Sequence, residues 1–294
     1  MRVEVVHTTR IDYDVDVVEG VMDIRLGPRT DADQQWVRFD LAVHPSAAVR
    51  PYTDGFDNAA HLITVGRPHH FLEIVARNEV HTLLDDPFRV PSTPPGALAP
   101  SERWDYLSPS KLVQRYDDLA RLAEPHRPRD PVDAFDSVIA LMDLIYRGFS
   151  YEQNQTTVGT TVAEVARERR GVCQDFAHVL IGLCRAIDIP ARYVSGYIVH
   201  DGPVQAQSLG STSPSPSHSQ APHRGAGASH AWAEAFTPTH GWRGFDPTNN
   251  LLASEYHVKM ALGRDYADVP PTRGTARGGS GERVTVDVAT HILR

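Results

Sequence analysis

Up to about residue 90, apolar and polar positions alternate in short runs. VEVVH, VMDIRL, QQWVRFDLAV, HLITV and FLEIVARNEV are rich in β-branched and aromatic residues, several with a period of two. That pattern predicts half-buried strands. Turn-forming clusters such as Leu26-Gly27-Pro28 and Tyr52-Thr53-Asp54-Gly55 separate them. Regularly spaced short strands predict a β-rich, sandwich-like domain over residues 1–95. The proline-rich stretch PSTPPGALAPSER (91–103) follows, and residues 96–130 read as a linker and helical connection.

The period then becomes helical. Phe135, Val138, Met142 and Ile145 step by three and four, behind a helix start at Asp130-Pro131. Thr161 and Glu164 form a capping-box pattern for a second helix. In a third, Cys173, Phe176, Leu180, Leu183, Cys184 and Ile187 share one face, and Asp188-Ile189-Pro190 ends it. Strands return with ARYVSGYIVH (191–200), AWAEAF (231–236) and GWRGF (241–245), and ERVTVDVATHIL (282–293) alternates strictly. Helices followed by antiparallel strands predict an α+β fold for residues 131–294. Residues 201–227 are dominated by Gly, Ser, Pro and Gln, so a mobile loop is expected there.

Composition narrows the partners. A chain of 294 residues has room for two domains. The net charge of −8 argues against nucleic acid, which needs a basic face. No apolar run approaches the ~20 residues of a membrane span, so no membrane partner is expected. The N-terminus alternates rather than forming an apolar signal core, and a cytoplasmic location is the default expectation. His218, His223 and His230 fit no zinc-site spacing, so no metal is expected.

The two cysteines differ in kind. Eleven residues apart on one helix, they would be separated by roughly 16 Å, beyond the ~7 Å limit for a disulfide. Cys184 lies mid-helix on the apolar face and reads as packing. Cys173 lies in the first turn, where the helix dipole favours a thiolate. It could equally be a small buried hydrophobe. A thiolate nucleophile needs a base and a group that orients the base. His230 and Asp246 offer both. A turn at 237–241 would pair residue 236 with 242, bringing the start of one strand beside the end of its neighbour. The Cys173 backbone N–H at the helix start is the simplest oxyanion donor. Tyr151 and Gln174 are candidates for a second donor, and Trp232 is a packing residue or part of a substrate cleft.

GVCQDFAH, IPARYVSGY, SHAWAEAF and GWRGFDPTNN, in that order, resemble the core motifs of the bacterial transglutaminase-like superfamily of papain-fold cysteine enzymes. HTTRIDYDVDV and DGFDN (54–58) resemble the N-terminal β domain that accompanies this core, and GRDYADVPPTRG (263–274) resembles its C-terminal segment. The resemblance implies Cys173 as nucleophile, His230 as base and Asp246 as orienter, with no cofactor. It also implies a peptide, protein or other amide substrate. Hydrolysis through an acyl-thioester on Cys173 is the expected outcome. Protein-glutamine cross-linking, or a binding scaffold without catalysis, are the alternatives.

Overall fold

The computed structural model describes residues 1–199, 228–279 and 281–293. The predicted loop 201–227, with His218 and His223, lies outside the described residues. In chain order the elements begin with β1 (Arg2–Ile24), β2 (Gln34–His44), β3 (Ala48–Thr53), β4 (Ala59–Val65) and β5 (His69–Thr82). Then come α1 (Pro100–Leu107), α2 (Asp117–Ala123), α3 (Ala134–Gly148), β6 (Ser150–Tyr151), α4 (Val162–Glu168), β7 (Arg170–Gly171) and α5 (Cys173–Ala186). The chain closes with β8 (Ala191–Ile198), β9 (His230–Thr237), β10 (Gly241–Asp246), β11 (Leu251–Leu252), β12 (His257–Gly263), β13 (Thr272–Gly278) and β14 (Glu282–Leu293).

β1 is the axis of a seven-stranded antiparallel sheet. Its first half pairs with β5 on one side and β14 on the other; its second half pairs with β4 and β13. The sheet bends between these halves, where the β1 register shifts between Asp12 and Val17. Ile11, Leu72 and Ile74 of one half then share a core with Met22, Ile24 and Ile63 of the other. This is how a single sheet gives the sandwich-like domain expected from the sequence.

One expected boundary is corrected. Residues 272–293, assigned from sequence to the second domain, complete the first by pairing along β1. Alternation identifies a strand but not its partner, and the long edge of β1 needs one. The helical connection expected over residues 96–130 holds α1 and α2, and Leu119 and Ala123 of α2 are buried in the same core as α5.

The second domain packs helices on a five-stranded sheet of order β11-β10-β9-β8-β12. Phe176, Leu180, Leu183 and Cys184 of α5 are buried, as their spacing predicted. Ala231, Ala233 and Ala235 of β9 join that core, and their small size lets the helix lie close. The predicted hairpin register holds, with Trp242 opposite Phe236. On the other face Trp232 is fully buried with Val194, Ala253 and Leu262, and the sheet curls around it. Gly196 leaves the space its indole fills, because a Cβ there would meet the Trp232 ring and the Val258 carbonyl.

The two domains meet along β12. Val3, Val5, Val80 and Val288 pack against Tyr197, Val199, Val258 and Met260. Side chains stand in for a further strand on the outer edge of β12. Gln34 accepts from Lys259 N at 2.8 Å and donates to Lys259 O at 2.8 Å. Asn58, in the DGFDN segment, does the same with Leu262 at 2.8 Å each way. The buried Lys259 ammonium pairs with Asp31 at 2.6 Å, Asp33 at 3.1 Å and Glu234 at 3.2 Å. Burial opposes the Glu234 charge, but Lys259 and Arg192 hold its carboxyl down at about 2. No helix among the described residues is long and apolar enough to cross a membrane.

Candidate active site

Cys173 is the first residue of α5, and Val172 before it is extended. The turn is fixed by Asp175, whose Oδ2 accepts from Val172 N at 2.8 Å and from Thr156 Oγ1 at 2.7 Å. Gly171 is required here: a Cβ would stand 2.5 Å from Asp175 Oδ2. Asp175 therefore shapes the approach to the helix. Its burial pushes its carboxyl up. Cys173 is partly exposed and Cys184 buried, both as free thiols. Burial pushes the Cys184 thiol up to about 12.

His230 opens β9 and Asp246 closes β10. Both side chains are fully buried, and His230 Nε2 lies 2.9 Å from Asp246 Oδ2. Nε2 therefore carries a proton, which it donates to the carboxylate. Cys173 is close enough to the same ring to add to the electrostatic pull on its charge. With Nε2 taken by Asp246, Nδ1 is the ring nitrogen left over, buried and without a hydrogen bond among the described residues. The three residues that spacing singled out are brought together.

Asp246 is held on all sides. Its Oδ1 accepts from Thr248 N at 2.9 Å and Asn249 N at 3.3 Å, and its Oδ2 accepts from Asn249 Nδ2 at 2.8 Å. Burial alone would neutralise both partners. Their mutual attraction, helped at His230 by Cys173, instead holds Asp246 well below the usual carboxylate range and raises His230 to about 10. The pH consequences follow in sign. The contribution of His230 is complete below its ordinary value of 6.5 and is lost as pH rises through about 10. That of Asp246 is complete above its ordinary 3.8 and is lost as pH falls toward its depressed value. The melting-temperature gap between wild type and the His230→Gln/Asp246→Asn double variant should shrink from neutral pH to above about 10. A gap constant across that range would contradict a charged His230.

The other sequence candidates are placed less centrally. Tyr151 pairs with Gly171 through β6 and β7, and with Cys173 it packs on the margin of the main core. Gln174 is partly exposed, its Nε2 3.4 Å from Val158 O. Trp232 is not a cleft residue. It is fully buried, with its ring stacked on His230 at 6.2 Å between centroids. Arg264 is paired with Asp268 at 2.9 Å, while Tyr266 N donates to His178 Nε2 of α5 at 3.1 Å. Sequence reasoning missed His257, whose Nε2 lies 3.7 Å from Asp246 Oδ2. No spacing rule could have found it, because the curl of the sheet alone brings β12 to the end of β10.

A cavity of about 680 Å³ lies between α1, α2 and the far end of α5, lined by Trp104, Leu119, Gly182 and Arg185 among others. It contains none of the Cys173, His230 and Asp246 side chains, so its size does not locate the chemistry. Among the described residues no cluster of three His, Cys, Asp or Glu side chains is placed to hold a metal ion.

Residues 122–247 match the transglutaminase-like superfamily, and residues 3–81 match the bacterial transglutaminase-like N-terminal region. An uncharacterized protein of Mycobacterium tuberculosis is 33% identical over 313 residues, covering 99% of this chain and 92% of that protein. One from Mycobacterium leprae is 29% identical over 296 residues, covering 98% of each. A solved structure described as "a Putative Cysteine Protease from Cytophaga hutchinsonii" covers 100% of this chain and 92% of its own, with a TM-score of 0.72 at 23% identity. At that identity the likeness speaks for the fold.

Proposed function

Because the chain belongs to the transglutaminase-like superfamily, we propose that it is a cysteine enzyme cleaving amide or peptide bonds through an acyl-thioester on Cys173. One observation carries this reading: a buried imidazole–carboxylate pair at 2.9 Å, beside a cysteine in the first turn of a helix. Cys173 Sγ attacks the carbonyl carbon. The first-turn N–H groups, which have no intrahelical acceptor, face the developing oxyanion. His230 holds a proton at neutral pH and delivers it to the departing amine. Water then attacks the thioester while His230 takes its proton, and Asp246 orients the ring through Nε2 in both steps. No cofactor enters these steps. The two unpaired cysteines favour a reducing compartment, the cytoplasm.

Hydrolysis is favoured over amine transfer. A transferase must let an amine reach the thioester before water does, whereas Cys173 is partly open to solvent. Partitioning tests this. An amide substrate supplied with a millimolar primary amine should yield mainly free acid by mass spectrometry. A dominant amine adduct would replace the hydrolase reading with that of a protein-glutamine acyltransferase.

A further inference from the structure

We infer that His257 is a positioning residue for the site proposed above, sharing the Asp246 carboxylate with His230 and fixing the orientation of that carboxylate. The inference rests on the Cys173–His230–Asp246 reading and adds a fourth side chain to it. His257 opens β12, pairs with Ile198 of β8 and is 3% exposed at its side chain. Its Nε2 stands 3.7 Å from Asp246 Oδ2, longer than a strong hydrogen bond but well within electrostatic reach.

The tautomer is fixed by the backbone. Ser254 N donates to His257 Nδ1 at 3.3 Å, so Nδ1 presents its lone pair. The ring proton of the neutral form is then on Nε2, the atom that faces Asp246. The ring plane is fixed as well, because the Trp232 indole meets His257 edge-on at 5.1 Å and 79°. The same indole stacks on His230 with the planes 26° apart. One buried tryptophan thus sets both imidazoles around one carboxylate.

This arrangement has a chemical consequence. Asp246 Oδ2 already accepts from His230 and Asn249, and the His257 N–H helps to hold that oxygen in the plane His230 needs. It also shares the carboxylate charge between two imidazoles, which limits how strongly Asp246 holds His230 in its protonated form. Packing alone would ask only for a flat ring, and phenylalanine would serve equally well.

That contrast supplies the test. His257→Phe should lower kcat roughly ten-fold with KM nearly unchanged, because it acts through the general acid–base group. His257→Gln, which keeps an N–H donor near the Nε2 position, should recover most of the loss. Equal rates for wild type and His257→Phe would overturn the inference, as would a Gln variant no better than Phe in folded protein. A second measurement needs no variant. Nitrogen-15 NMR of histidine-labelled wild-type protein should show neutral His257 with its proton on Nε2; a proton on Nδ1 would overturn the inference even if His257→Phe failed to fold. Failure of the underlying reading looks different: Cys173→Ala would then retain turnover whatever His257 does.

Discussion

Replacing Cys173 with alanine is expected to abolish amide turnover, by a factor on the order of 10⁴ or more, while leaving the melting temperature nearly unchanged. The two effects separate because of where the residue sits. Its sulfur is the only side-chain nucleophile the proposed mechanism uses, and water alone cannot form the acyl-enzyme. Its contribution to packing is small, since it is partly exposed at the mouth of α5 and touches only the margin of the core. Cys184→Ala should show the reverse. That thiol is 0% exposed among the main core side chains, and its loss leaves a small cavity that costs about 1 kcal/mol or more, with turnover retained. Activity against a fluorogenic peptide panel and thermal melts of both variants would check this. Turnover by Cys173→Ala would remove the covalent mechanism.

Asp246→Asn should lower the rate by a factor on the order of 10² to 10⁴, the usual scale of general acid–base effects. An amide nitrogen in place of Oδ2 would face two donors, His230 Nε2 and Asn249 Nδ2. His230 would lose both its fixed tautomer and the charge that raises it to about 10. Asp246 is fully buried, so stability should fall too, by about 1–3 kcal/mol for an unsatisfied buried donor. Rates must therefore be compared well below the melting transition of the variant. An unchanged kcat there would mean that another group orients His230.

The juxtaposition of His230 and Asp246 in the candidate site was legible in the sequence because its geometry is local. The helix start at Cys173 followed from apolar spacing behind Gly171, and the approach of His230 to Asp246 followed from counting outward from one hairpin turn. Contacts made through the tertiary fold were not legible. The alternation of Glu282–Leu293 is the same whichever strand it pairs with, and the structure sets it against Arg2–Tyr13. Lys259 reads as a polar residue in a strand, yet it is buried among Asp31, Asp33 and Glu234, two of them more than two hundred residues away in the chain. Trp232 reads equally well as platform or packing, and only the curl of the sheet decides for packing. That curl also brings His257 to Asp246. The DGFDN segment marked its domain in sequence, but its use became visible only where Asn58 clamps Leu262.

The central claim is that Cys173 is the nucleophile, and site-resolved alkylation tests it most directly. The native protein is exposed to iodoacetamide at neutral pH, quenched at intervals and digested, and each cysteine is followed by mass spectrometry. The account predicts modification confined to Cys173 for as long as the protein stays folded, because Cys184 is buried and its thiol is raised to about 12. It further predicts that the rate at Cys173 falls in His230→Gln. Equal labelling of the two cysteines, or a Cys173 rate indifferent to His230, would contradict it.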